Sequence, residues 1–218
     1  MIPDCILDSI PKPYELVRRS LNAFFTTFHS HTASGLENIP TEGPTIFASN
    51  HSSFYDPPVI GVKVSRPIHY LARDTLFKGF FGRCLHKIGT IPVSRGTADV
   101  RSIKSIFKVL KDKQATAIFP EGTRSIDGKL QPPQAGTGMI AIKSKATVVP
   151  TRIFGAFEAY GRNKKLPILG IHIHVSYGQP LSYKDLDPGV ENPDRYLEAS
   201  NRIMQAIHEI KPHKETII

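Results

Sequence analysis

Thr45-Ile46-Phe47-Ala48-Ser49-Asn50-His51-Ser52-Ser53-Phe54-Tyr55-Asp56-Pro57-Pro58 runs from an apolar stretch into an imidazole, with a carboxylate five residues further on. A short apolar run of this kind reads as a strand buried on both faces. Pro57-Pro58 then closes the segment, because proline cannot continue a sheet ladder. A histidine leaving a buried strand, with an acid about one turn later, has the makings of a base whose tautomer the acid holds. In α/β folds, sites collect at such strand exits. The same spacing recurs at His69 and Asp74, so spacing alone carries little. His69 lies inside Pro67-Ile68-His69-Tyr70-Leu71-Ala72, which reads as the middle of a strand, and is assigned to the core.

Outward from this stretch, apolar runs recur at 45–49, 68–72, 115–119, 147–153 and 171–177. Helix-like segments lie between them. One carries Val100, Ile103, Phe107 and Leu110 on one side, with Arg101, Lys104, Lys108 and Lys111 on the other. Near the C-terminus, Tyr196, Leu197, Ser200, Ile203, Met204 and Ile207 mark an amphipathic packing helix. Alternation of this sort predicts an α/β fold: a single domain with a mostly parallel or mixed central sheet flanked by helices. Pro150 inside one run predicts an edge strand or a bulge. Residues 14–31 form a further helix, with Val17, Leu21, Phe24, Phe25 and Phe28 on one face and Arg18, Arg19, Asn22 and Thr26 on the other. That face suits either the headgroup region of an anionic membrane or packing on the domain. The expected organisation is an N-terminal membrane-associating helix over 1–33 followed by one domain over 34–218.

The chain of 218 residues is long enough to bury a core without staples. Its two cysteines, Cys5 and Cys84, lie far apart and predict free thiols. No apolar stretch reaches the ~18 residues of a membrane span, and no signal-peptide pattern precedes the domain. The formal net charge of +9 favours an anionic partner. No nucleic-acid module or basic–aromatic array accompanies it, which leaves a membrane surface or a phosphorylated small molecule. His172 and His174 share a strand face but lack a third ligand, so no metal is expected. No Gly-x-Ser-x-Gly elbow exists to make Ser52 or Ser53 a covalent nucleophile.

Asn50-His51-Ser52-Ser53-Phe54-Tyr55-Asp56-Pro57 resembles the first block of the glycerolipid acyltransferases, a His-x4-Asp motif. Three further blocks follow in the family's order: Gly89-Thr90-Ile91-Pro92-Val93-Ser94-Arg95-Gly96, Phe119-Pro120-Glu121-Gly122-Thr123-Arg124-Ser125, and Val148-Val149-Pro150-Thr151-Arg152-Ile153-Phe154-Gly155. The resemblance spans roughly residues 35–180. Two departures stand out: Ser94 precedes Arg95 where the family often has an acid, and 131–136 lacks a Phe-Lys pair before its glycine.

The resemblance implies acyl transfer from a thioester, either acyl-CoA or acyl carrier protein, to the sn-2 hydroxyl of lysophosphatidic acid. His51 is then the base and Asp56 its orienting partner. Glu121, Gly122, Thr123 and Arg124 hold the acceptor, with Arg124 and Arg95 on its phosphate. Glu121 is expected to orient the glycerol or neighbouring backbone, since two like charges repel. The fourth block is expected to pack. No cofactor is required, because the donor carries its own activation. The expected location is the cytoplasmic face of the membrane, peripheral or monotopic. Another lysophospholipid or glycerol-3-phosphate as acceptor, hydrolysis, and non-catalytic membrane binding are the alternatives.

Overall fold

The computed structural model describes residues 12–93 and 100–212. Strand β2, Thr45–Ser49, is buried at every position. It is buried because it is sandwiched laterally and on both faces. β6 (Ala115–Ile118) and β7 (Thr147–Phe154) pair with it in parallel on either side. β3 (Ile68–His69) continues beyond β6, again in parallel. On the other flank β8 (His174–Tyr177) runs antiparallel to β7, and β1 (Thr32–Ser34) lies parallel to β8 at the edge. Among the described residues the order is therefore β1-β8-β7-β2-β6-β3, a mixed and mostly parallel sheet.

Side-chain alternation divides the core into two layers. Phe47 points to one face, where it joins Phe25 of α1 (Lys12–His29) and Val59 and Ile60 of α2 (Asp56–Gly61). Ile46 and Ala48 point to the other. There they meet Ile106 and Leu110 of α4 (Val100–Lys111), Ile140 of α5 (Ala135–Ser144) and Ile203 of α8 (Arg195–Glu209). Between α2 and α4 lies α3 (Gly79–Lys87). Short helices α6 (Ala156–Tyr160) and α7 (Tyr183–Leu186) follow β7 and β8. Arg101, Lys104, Lys108 and Lys111 are exposed, as the α4 pattern predicts.

α5 and α8 approach closely at Gly138. A Cβ there would stand 2.2 Å from the Tyr196 carbonyl oxygen and 2.8 Å from the Ala199 Cβ. The Gly138 N–H donates to Ser200 Oγ at 2.9 Å, and Ser200 donates onward to the Gln134 carbonyl at 2.8 Å. Gly138→Ala should therefore push two helices apart and cost about 2–3 kcal/mol of stability, read as a fall in the urea unfolding midpoint.

The structure corrects several sequence expectations. The run 68–72 is not one strand. Ile68–His69 belongs to the large sheet, whereas β4, Leu71–Arg73, turns away to pair with β5, Ile91–Val93. β7, with Pro150, is interior rather than at an edge, and the bulge is what accommodates the ring. Between the pairs Val148↔Leu181 and Thr151↔Tyr177, residues 178–180 face only 149–150. The Pro150 carbonyl still accepts from the Gly178 N–H at 2.7 Å. The N–H that proline lacks falls where the ladder is already interrupted.

Helix α1 sits on the domain. Phe25 and Tyr14 are buried, and the Tyr14 hydroxyl accepts from the Ile68 N–H at 3.0 Å. Arg18, expected on the solvent side, pairs with Glu15 at 2.8 Å and donates to the Val62 carbonyl at 3.0 Å. Phe28 and Leu16 remain exposed. β1 occupies 32–34, so the expected division at 33/34 runs through a strand. No helix among the described residues is long and apolar enough to cross a membrane.

Candidate functional site

β2, β6 and β7 all deliver their C-terminal ends to one edge of the sheet, and His51 leaves β2 there. Asn50, the residue before it, is buried and bonds the β7 backbone in both directions. Its Nδ2 donates to the Ile153 carbonyl at 3.1 Å, and its Oδ1 accepts from the Ile153 N–H at 2.8 Å. This clamp fixes where the chain departs from the sheet.

His51 is then held on every side but one. Its N–H donates to Glu121 Oε1 at 2.8 Å, and its carbonyl accepts from the Ser125 N–H at 2.7 Å. Its ring stacks on Phe119, centroids 3.9 Å apart and planes within 15°. Nδ1 lies 2.8 Å from Asp56 Oδ2. That same oxygen accepts the backbone N–H groups of Ser52 and Ser53 at 2.6 and 2.7 Å. An oxygen already taking two N–H donors is an acceptor, so Nδ1 must carry the hydrogen. The lone pair is thereby placed on Nε2, which among the described residues is left open, on a side chain 18% exposed. Asp56 itself is fully buried and opens α2. In its neutral form the imidazole is thereby oriented to take a proton from outside.

The third block wraps this dyad. Phe119-Pro120 leaves β6, and the Gly122 N–H turns back to the Phe119 carbonyl at 3.0 Å with φ of +69°. Glycine meets that left-handed conformation without strain. The Gly122 N–H is thus spent on closing the turn. Gly122 and Thr123 are exposed, while Arg124 lies with its Cζ 3.7 Å over the ring of Phe54, three residues beyond His51. Arg124 is therefore brought to the dyad by the Ser125–His51 bond. Arg95 lies outside the described residues. His69 faces away: its Nδ1–H donates to the Gly89 carbonyl at 2.7 Å, while Asp74 Oδ1 takes the Thr75 N–H. Chance spacing produced no dyad there. His172 and His174 spend ring nitrogens on Thr32 Oγ1, at 2.9 and 2.7 Å, and His174 Nε2 on Ser34 at 3.0 Å.

Glu121 is the residue whose role the structure sharpens most. Its two oxygens bridge the His51 N–H and the Gln131 N–H, the latter at 3.1 Å, so it braces backbone. Burial pushes its carboxyl up to about 7, against the pull of those two N–H bonds and with a smaller push from Asp56. A carboxyl raised in the folded chain keeps a proton that the unfolded chain releases. Stability from this group is therefore whole below about 4.5 and is lost as pH rises to about 7. Glu121→Gln should remove that slope, so urea midpoints taken from acid to mildly alkaline pH should favour the variant increasingly across this window. The amide turns an N–H2 toward one backbone N–H, and the resulting shift of His51 should lower kcat by about ten- to a hundredfold.

Asn50, Phe119 and Ser125 lie inside the quoted blocks, but their roles escape the sequence reading. Asn50 alone carries a local signal, as a polar side chain directly following a buried strand.

With the site in hand, comparison with known proteins is informative. A model of the acyltransferase family matches residues 30–154, more than half of the chain. The 1-acyl-sn-glycerol-3-phosphate acyltransferase of Bacillus subtilis is 34% identical over 177 residues, covering 80% of this chain and 85% of that protein. A chloroplastic enzyme of the same name, LPAT1 of Arabidopsis thaliana, is 30% identical over 132 residues, 59% of this chain and 37% of the plant protein. The crystal structure of the LPA acyltransferase PlsC from Thermotoga maritima superposes with a TM-score of 0.72 over 91% of this chain and 81% of that one, at 22% identity. The matched span contains the clamped His51, its buried Asp56 and the turn of Glu121 and Arg124, and the chain belongs to the acyltransferase family.

Proposed function

We propose that this protein transfers an acyl group from an acyl thioester to the sn-2 hydroxyl of 1-acyl-glycerol-3-phosphate, giving phosphatidic acid. The observation that carries the reading is His51, tautomer fixed by buried Asp56 at 2.8 Å, with Nε2 open beside the turn that bears Arg124. The acceptor hydroxyl donates to Nε2, which takes its proton as the oxygen attacks the thioester carbonyl. Asp56 stabilises the imidazolium so formed. Collapse of the tetrahedral intermediate breaks the C–S bond, and the imidazolium returns the proton to the leaving thiolate. The thioester supplies the activation, so the scheme requires no metal or cofactor. Acyl-CoA and acyl carrier protein both satisfy it.

Arg124, with Arg95, is assigned to the acceptor phosphate, for which a guanidinium fork is well matched. Gly122 and Thr123 shape the exposed turn beneath it, and Glu121 holds that turn to His51. The acceptor is a bilayer lipid, and the proposed location is the cytoplasmic face of a membrane, peripheral or monotopic.

Thiol release from a long-chain acyl-CoA, measured with and without lysophosphatidic acid, tests the reaction. Release that requires the lipid supports it; release of free fatty acid without acceptor would make the protein a hydrolase instead. Arg124→Ala should raise KM for lysophosphatidic acid by about tenfold or more with little change in kcat. A change confined to the thioester would move Arg124 out of the acceptor site.

A further inference from the structure

The segment Arg162-Asn163-Lys164-Lys165-Leu166-Pro167-Ile168-Leu169 has no role in the chemistry, yet it puts three large apolar side chains into solvent. Leu166 is 77% exposed, Ile168 48% and Leu169 52%. Phe28, at the end of α1, is 45% exposed and adjoins them, because its carbonyl accepts from the Gly170 N–H at 2.8 Å. Isolated exposed leucines need no explanation, whereas a contiguous set on one surface does.

The loop is not a loose excursion. The Ile168 N–H donates to the Ala159 carbonyl at 2.8 Å, and the Lys164 N–H to the Gly161 carbonyl at 3.0 Å. It is also joined to both loops of the site. Arg162 Nη1 donates to the Arg124 carbonyl at 3.2 Å, and Asn163 Nδ2 to the Ile126 carbonyl at 3.3 Å. Immediately before it, Gly161 forms a bridge with Ser53, and the Tyr160 carbonyl accepts from the Phe54 N–H at 3.2 Å. The loop that carries the exposed apolar side chains is thus tied by hydrogen bonds to the two segments that carry the His51–Asp56 pair and Arg124.

Charge decides what covers them. Arg162, Lys164 and Lys165 flank the apolar tip, and no carboxylate side chain occurs from 159 to 184. A second copy of this chain seated across a two-fold axis would set these cations against their own equivalents. A bilayer carrying anionic lipid accepts both parts at once, the apolar tip below the headgroups and the cations among the phosphates.

We propose that the loop 162–169, together with Phe28, is the surface on which this protein seats on an anionic bilayer, so that the acceptor lipid reaches His51 without leaving the membrane plane. The inference rests on the lipid-acceptor reading above, but its test does not need turnover. The full chain is sedimented with vesicles of phosphatidylcholine alone or of an equal mixture with phosphatidylglycerol. Wild type should partition onto the mixed vesicles, and salt should weaken that partitioning. Leu166→Ser/Ile168→Ser/Leu169→Ser should lower it by roughly tenfold or more, since each side chain loses apolar burial. Lys164→Glu/Lys165→Glu should abolish the preference for the anionic mixture. Lys165, Leu166, Ile168 and Leu169 are exposed and Lys164 is half-buried, so an unchanged thermal midpoint checks that the variants fold.

The serine triple variant should also lose kcat/KM on vesicle-borne lysophosphatidic acid while keeping it on a short-chain acceptor dissolved as monomer. Wild-type failure to bind mixed vesicles, or variants that bind as wild type does, would overturn the proposal. So would a wild-type dimer that the triple variant converts to monomer. Loop-dependent binding by a protein that acylates no lysophosphatidic acid would leave the surface standing and remove the acceptor reading instead.

Discussion

Replacing His51 with alanine should lower kcat/KM for thiol release by about 10³-fold or more while the protein stays folded, the upper part of the range for a positioned general base. The expected size follows from how completely the side chain is committed. Its Nδ1 is spent on Asp56 and its ring on Phe119, so the open Nε2 is the one nitrogen that can accept the hydroxyl proton. Neighbouring serines cannot take over. Ser53 Oγ donates to the Tyr160 carbonyl at 2.8 Å, and Ser52 is buried. Loss of the ring leaves a gap against Phe119, for which a stability cost of about 1–2 kcal/mol is reasonable. Initial rates with acyl-CoA and lysophosphatidic acid, alongside a thermal melt, separate the two effects. A variant that keeps a tenth of wild-type turnover would remove His51 from the role of base.

Asp56→Asn is expected to have the next largest effect, about 10²- to 10³-fold in kcat with KM little changed. Of the two carboxylate oxygens, Oδ2 accepts three N–H groups, whereas Oδ1 is buried without a hydrogen-bond partner among the described residues. Asparagine can therefore put its oxygen where Oδ2 was, keep the Ser52 and Ser53 bonds, and still accept from Nδ1–H. The tautomer survives. What disappears is the negative charge that stabilises the imidazolium once the proton has moved, together with about 1–3 kcal/mol of stability for a buried N–H2 left unpaired. Asp56→Ala is the contrasting variant. It strands three donors at once and should lower stability severely enough to report on folding rather than on catalysis. Asp56→Asn with wild-type kcat would show that the carboxylate organises the loop and contributes no charge to the reaction.

The His51–Asp56 contact and the Ser52 and Ser53 N–H bonds to the same oxygen lie within six residues of one another. The dyad was legible because this local segment leaves a buried strand and three further family blocks follow it in order. Spacing alone does not make such a pair: His69 and Asp74, equally spaced, turn to the Gly89 carbonyl and the Thr75 N–H instead. The buried character of β2 is equally local, since a continuous apolar run states that both faces are covered. The α4 pattern is of the same kind, its cations falling outside because a 3.6-residue period leaves them no other side.

The supporting structure is not local. Glu121 reaches the His51 N–H across 70 positions, and Asn50 reaches Ile153 across 103. The sequence offered Glu121 as an orienting residue for glycerol or backbone, and only the order β7-β2-β6 determined that its partner is the His51 backbone. Pro150 could equally have marked an edge or a bulge, and the register of the returning β8 decided between them. The division of Ile68–Ala72 into two strands, and the seating of α1 on the domain with Phe28 left outside, likewise depend on which surfaces meet. The amino-acid sequence by itself determined the α/β class and the segment that carries His51 and Asp56, because apolar periodicity and the ordered motif blocks are properties of residue type along the chain. The tertiary structure alone decided what braces that pair and which apolar side chains remain exposed beside it, because those outcomes depend on strand order and register, which bring together residues far apart in the chain.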